Sequence, residues 1–129
     1  MSAWYNKTMA FPGELNINYY KGDTYEFNVY PKDSTGQPFN LTGYTATFTI
    51  ADQRGPSPSV TFEGYALIPT EATSLSCAIL PSDASQLVAG TAYVYDIQVS
   101  NNDAELPYPL TYTLLTGTIS VTGDVTGAV

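Results

Sequence analysis

Thr91-Ala92-Tyr93-Val94-Tyr95-Asp96-Ile97-Gln98-Val99-Ser100 is the stretch that decides the fold class. Tyr93, Tyr95, Ile97 and Val99 fall on one side of an extended backbone, and Ala92, Asp96, Gln98 and Ser100 on the other. A period of two in β-branched and aromatic residues predicts a strand with one buried face. Just upstream, Pro81 to Gly90 reads as one short helical turn, with Asp83 as its cap and Gln86 as the reciprocal partner. Tyr93 is placed to hydrogen-bond back toward that turn.

The same alternation recurs on either side. Glu14 to Tyr20, Thr24 to Tyr30, Tyr44 to Ile50, Val60 to Leu67, Ser74 to Leu80 and Thr111 to Val121 all read as strands. Turn chemistry separates them: Lys21-Gly22-Asp23, Pro31 to Gly36, and the Gln53-Arg-Gly-Pro-Ser-Pro58 loop. In the last run the alternation slips near Leu115, and Gly117 is the residue expected to allow a bulge there. About seven short strands with no helical run beyond two turns predict an antiparallel sandwich, with a closed barrel as the alternative.

The 129 residues suffice for one domain with its own core, and the single Cys77 cannot form an internal bridge. Leu75-Ser76-Cys77-Ala78-Ile79 places that thiol on the apolar face of a strand, as a small buried hydrophobe. With no histidine and four basic residues, the chain lacks Ser-His-Asp and Cys-His arrangements, His- or multi-Cys zinc sites and Walker-type loops. Asp96 reads as a solvated strand carboxylate, and Asn101, Asn102, Asp103 and Glu105 as a hairpin loop whose spacing fits no calcium hand. We therefore expect no enzyme, no cofactor and no bound metal. A net charge of −8, spread along the chain, argues against nucleic acid and against anionic membrane surfaces. No apolar run approaches the roughly 18 residues of a membrane span. The N-terminus lacks the basic and apolar regions of a signal peptide, so cytoplasmic synthesis is expected and the sequons at Asn6 and Asn40 are read as chance.

Eleven tyrosines remain to be placed. Tyr25, Tyr44, Tyr93, Tyr95 and Tyr112 fall on inward faces. Trp4, Tyr5, Tyr19, Tyr20, Tyr30, Tyr65 and Tyr108 are the candidates for the surface, on different loops and strands. The first 13 residues form an extended arm whose Trp4, Tyr5, Met9 and Phe11 show neither helical nor strand periodicity. Exposed together they would make an apolar patch that soluble monomers avoid. The arm either folds back over an open sheet end, docks on a neighbouring subunit, or stays disordered.

Lys21-Gly22-Asp23-Thr24, Asn40-Leu41-Thr42-Gly43-Tyr44-Thr45-Ala46, the helical turn leading into Tyr93-Val94-Tyr95-Asp96-Ile97, and Leu114 through Thr126 together resemble one group. That group is the small immunoglobulin-like structural proteins of tailed bacteriophages, akin to the N-terminal domain of the baseplate upper protein. The resemblance implies an all-β immunoglobulin-like sandwich over residues 14–126, between the arm (1–13) and a short tail (127–129). It further implies a non-enzymatic virion protein. Its partners would be the major capsid protein or other virion subunits, and it would form a homo-oligomer within the particle. The chain ends soon after Val125-Thr126, where longer members continue, which favours a capsid decoration protein over a baseplate part. Trp4, Tyr5, Met9 and Phe11 are then the expected partner contacts. A glycan-binding adhesion module is the competing reading.

Overall fold

A computed structural model describes residues 12–123. Eight strands follow one another: β1 (Gly13–Glu14), β2 (Ile17–Tyr20), β3 (Tyr25–Val29), β4 (Thr45–Ala51), β5 (Thr61–Leu67), β6 (Leu75–Ile79), β7 (Ala92–Asn101) and β8 (Leu110–Thr122). Each sits within or close to a run that the sequence marks as extended, except that the first run is split in two at Leu15-Asn16. Among the described residues the other regular element is a 3-10 turn, Pro81–Gln86. No helix among them is long and apolar enough to cross a membrane. The protein is all-β.

The strands form one continuous path, β1-β8-β7-β4-β5-β6-β3, with β2 also lying on β8. The expectation of a purely antiparallel sheet is corrected at one place: β1 and β2 run parallel to β8, with Gly13 opposite Leu115 and Ile17 opposite Ile119. Parallel neighbours need a long crossover, and here the entire intervening chain supplies it. Strand β5 belongs to both halves of the path. Thr61–Gly64 pair with β4, and Tyr65–Leu67 pair with β6. Gly64 sits at the switch because an added Cβ would lie 2.7 Å from a Phe48 ring carbon. The two end strands, β2 and β3, are consecutive in sequence, so the path curls until its ends meet across Lys21–Thr24.

The curl encloses the apolar side of the alternation. Phe48 lies at its centre, edge-on to Phe27 at 5.7 Å and to Tyr95 at 5.5 Å between ring centroids. Ile17, Ile50, Leu75, Ile79, Ile97 and Ile119 are fully buried around it. Each such side chain contributes roughly 1.5–3 kcal/mol by leaving water. Phe39, Tyr44 and Tyr112 pack as a ring cluster, with centroids 5.7 to 6.3 Å apart. At the other flank the Tyr93 hydroxyl accepts the Val88 amide at 2.9 Å, as its placement predicts. Asp83 differs from expectation. It lies inside the 3-10 turn and its carboxylate reaches back to accept the Leu80 amide at 2.9 Å, so it serves as the returning partner and not as the leading cap.

The slip in β8 is also displaced from its predicted residue. Ile97 pairs with Leu115 and Gln98 with Thr113, which leaves Leu114 as the extra residue. Gly117 stays in register opposite Tyr95 and answers a different need. The backbone at Leu15 crosses directly over it, and a Cβ on Gly117 would fall 2.0 Å from the Leu15 carbonyl oxygen. That carbonyl leaves the β1–β2 ladder and accepts the Tyr95 hydroxyl at 2.7 Å. The Asn16 side chain compensates at the surface by accepting the Thr118 amide at 3.2 Å.

Two substitutions test this arrangement by urea unfolding. Gly117→Ala should destabilise by about 3 kcal/mol or more, at the top of the overpacking range, because the obstacle is backbone. Tyr95→Phe should cost about 1–3 kcal/mol by leaving the part-buried Leu15 carbonyl without its donor. Gly13→Ala is the control, since its Cβ would make an ordinary contact with Leu115 at 3.5 Å.

Candidate interaction surface

Of the residues that the sequence singles out for partner contact, Trp4, Tyr5, Met9 and Phe11 lie outside the described residues. The remaining aromatic candidates divide. Tyr20, Tyr30, Tyr65 and Tyr108 are exposed. Tyr19 is not: it is 1% exposed, and its place among the surface candidates is corrected. The alternation Leu15, Ile17, Tyr19 carries it inward. There its hydroxyl donates to the Asp23 carbonyl at 2.8 Å and accepts the Gly22 amide at 3.3 Å, which fixes the link between β2 and β3. Burial raises the pKa of this phenol above its ordinary value, so it remains a donor at neutral pH.

The outward faces of the path carry two different chemistries. Over β4, β7 and β8 the outward alternation, exposed to half-buried, is Thr45, Thr47 and Thr49 beside Asp96, Gln98 and Ser100, then Thr111 and Thr113. A cleft of about 320 Å³ opens at one end of this face, lined by Thr49, Gln53, Arg54, Thr61, Val94 and Asp96 among others. Arg54 comes from the Pro- and Gly-rich loop after β4. Its Nη1 donates to Asp96 Oδ1 at 2.9 Å and its Nη2 to Thr116 Oγ1 at 2.5 Å. The same Nη2 also reaches the carbonyls of Tyr95 at 3.3 Å and Gly117 at 3.4 Å. Asp96 is therefore a partly exposed carboxylate that is also ion-paired, and the cleft floor is polar but locally neutral. Because the pair is partly exposed, at 50% and 36% for the two side chains, its worth lies in holding the loop and not in a large free energy.

Over β5, β6 and β3 the outward face is partly apolar. Tyr65 and Leu67 project from β5 and are exposed. Register places Tyr65, Ala78 and Glu26 in one row across the three strands, and Leu67, Ser76 and Asn28 in the next. The sequence reading scatters the surface tyrosines among unrelated elements. The strand register gives one of them, Tyr65, an apolar neighbour and a polar rim.

Other reactive groups are engaged in structure. Cys77 is 2% exposed in β6, and burial pushes its thiol from 9.0 up to about 12. Asn101 and Asp103 each accept a backbone amide two residues on, at 2.9 Å, so their oxygens are used by their own loop. Asp33 does the same for Thr35 and Gln37, and its carboxyl is held below the usual range chiefly by the Thr35 hydroxyl at 2.6 Å.

No family model matches the chain, and no curated protein matches it. Among solved structures it is similar to the major subunit of aggregative adherence fimbriae type I from Escherichia coli, at 12% identity and a TM-score of 0.32, over 87% of this chain and 90% of that one.

The buried thiol gives a direct chemical check. At about pH 8 the folded protein should not react with iodoacetamide, because the thiol is both covered and protonated, while the urea-unfolded chain should react fully. The sign of the pH dependence follows from the raised value. The contribution of Cys77 is complete below pH 9.0 and disappears as the pH climbs from 9.0 through about 12. Arg54→Gln should cost less than about 1 kcal/mol yet speed amide exchange at Asp52 and Val60, which hydrogen-bond across the mouth of the loop.

Proposed function

We propose that the curled sheet is an immunoglobulin-like sandwich and that the protein is a non-enzymatic structural component of a tailed-bacteriophage virion. In this reading it is an accessory that decorates the capsid, with a place in the tail as the other location. Its partners are the major capsid protein or other virion subunits, and copies of itself meet within the particle. The sandwich reading is supported by β5, which is shared by the two halves, and by Phe27 of β3 reaching Phe48 of β4 across the interior.

The observation that carries the assembly reading is the condition of the sheet ends. Strand β3 pairs with β6 alone, and β2 with β8 alone, among the described residues. Each leaves one row of backbone donors and acceptors facing away from the sheet. Proteins that remain apart from their neighbours usually guard such edges with Lys, Pro or a bulge. Tyr25-Glu-Phe-Asn-Val29 has no Lys or Pro, pairs without irregularity, and carries Glu26 as its one charge. An edge of this kind accepts an extended segment from a neighbour. The residues of the chain best suited to supply apolar anchors are Trp4, Tyr5, Met9 and Phe11. Repeated by symmetry over a shell, many such contacts give high avidity without a large single interface. Asp96 is paired with Arg54, Asp33 and Asp103 accept amides of their own loops, and the Cys77 thiol is buried.

Deletion of residues 2–12 should abolish incorporation into particles, measured by co-sedimentation, and leave the cooperative unfolding of the sheet intact. Incorporation at the level of the full chain would overturn the reading.

A further inference from the structure

Strand β3 offers more than an open row of backbone groups, because the order of its side chains is close to its own reverse. Among the described residues it pairs with β6 alone. Tyr25, Phe27 and Val29 are half-buried and pack against the core, while Thr24, Glu26, Asn28 and Tyr30 are exposed on the outward side. Read in either direction, the strand runs apolar, polar, apolar, polar, apolar about Phe27. Glu26 is its one charge. Asn28, the counterpart of Glu26 about that centre, carries an amide that donates hydrogen bonds to a carboxylate. The pairing with β6 is regular over all five residues, so no bulge turns the edge aside.

An edge with this symmetry is complementary to itself. A second copy that meets it about a two-fold axis perpendicular to the sheet runs antiparallel and keeps both apolar faces on one side. Alternation then restricts the register, since a slip of one residue sets inward side chains against outward ones. Of the registers left, one centred on Glu26 places two carboxylates directly opposite each other, which is unfavourable. One centred on Asn28 pairs only Phe27, Asn28 and Val29 within the strand. The register centred on Phe27 pairs all five residues. Tyr25 then faces Val29 of the second copy, Phe27 faces Phe27, and Glu26 faces Asn28 on both sides of the axis. Tyr30, 62% exposed, comes beside the second copy's Thr24.

We propose that β3 pairs with β3 of a second copy, antiparallel about Phe27, so that two sheets join edge to edge and each Glu26 carboxylate accepts the opposite Asn28 amide. The proposal rests on the open β3 edge of the assembly reading and names the chain itself as the occupant, which leaves the β2 edge for the arm. An edge of five residues is about 17 Å long and buries less than the roughly 800 Å² per partner of a durable interface. The pair is therefore concentration-dependent, and it fills where copies are crowded together, as on a shell.

The test is sedimentation velocity of the full chain and of single variants up to about 1 mM. The full chain should show a reversible monomer–dimer equilibrium. Asn28→Glu sets carboxylate against carboxylate at two symmetric positions and should weaken the dimer by about tenfold. Asn28→Lys should tighten it by about fivefold, the opposite of the effect by which Lys guards an edge. Asn18→Lys, on the exposed side of β2, should leave it unchanged. Disulfide formation reads the register. Chains carrying Glu26→Cys and Asn28→Cys should cross-link when mixed, because opposite residues lie within bonding range. Neither should do so alone, because the same position in the two copies is offset by two residues. Positions 18, 26 and 28 are exposed, and circular dichroism checks that each variant is folded. A chain still monomeric at about 1 mM would overturn the proposal. So would a dimer indifferent to Asn28→Glu, loosened by Asn28→Lys or altered as much by Asn18→Lys, or cross-linking by Asn28→Cys alone as fast as in the mixture. The assembly reading is judged by particle incorporation of the arm-deleted chain, so either can fail without the other.

Discussion

The hydrogen bond from the Tyr95 hydroxyl to the Leu15 carbonyl, 2.7 Å long and made over a residue with no side chain, is the contact on which the rest of the architecture turns. It fastens the first strand segments to the central strand β7, although among the described residues β1 and β2 pair with β8 alone. Three conditions must hold at once. Gly117 must lack a Cβ, since one would sit on the Leu15 carbonyl. The phenol must keep its proton, and burial favours this by raising its pKa well above the ordinary value. The ring must also be held in place, which the edge-on contact with Phe48 at 5.5 Å provides. On the opposite side of the sheet the Arg54 guanidinium reaches the backbone carbonyls of these same two residues, Tyr95 and Gly117. The crossing point is thus gripped from inside by a neutral donor and from outside by a cation.

How much of this is legible in the sequence depends on whether the determinant is local. The strands are legible, because alternation is a property of consecutive residues, and Thr91 to Ser100 announces β7 without ambiguity. Tyr19 was legible in principle. The same alternation that marks Leu15 and Ile17 also marks Tyr19, but a pair of adjacent tyrosines obscures which of the two follows the pattern. The parallel pairing of β1 and β2 with β8 has no local signature, since a strand's own residues do not state the direction of a neighbour about a hundred positions away. Gly117 illustrates the limit well. A glycine within a strand signals an exception, and the nearby slip in alternation invites the inference of a bulge. The bulge belongs to Leu114, and the glycine answers to a carbonyl contributed by Leu15.

The surface was less readable than the core for the same reason. Arg54 looks like an isolated cation in a turn of Pro, Gly and Ser. Its role is set by Asp96 and Thr116, which lie 42 and 62 positions further on. Asp96, read as a solvated carboxylate, becomes one end of an ion pair once that loop folds over it. Tyr65 and Asn28 stand in strands separated in the path by β6, and only the register 65–78–26 and 67–76–28 reveals that their faces coincide.

The curl of the path also determines which backbone groups stay available. Strands β2 and β3 are joined by four residues, and the Asp23 amide bonds the Tyr20 carbonyl at 3.0 Å, the beginning of an ordinary turn. Continued, that turn would make a hairpin and close the path into a barrel. It does not continue, because the two strands have already been claimed in different directions. Ile17 and Tyr19 are buried in register with Ile119 and Val121 of β8. Tyr25 and Phe27 are held in register with Ile79 and Cys77 of β6. The Tyr19 hydroxyl, bonded to Asp23 and Gly22, holds the turn at this branching and separates the two commitments. Among the described residues, an open edge on each strand is the direct consequence. The interior contacts that make the sheet curl are therefore the same ones that keep β2 and β3 from pairing with each other.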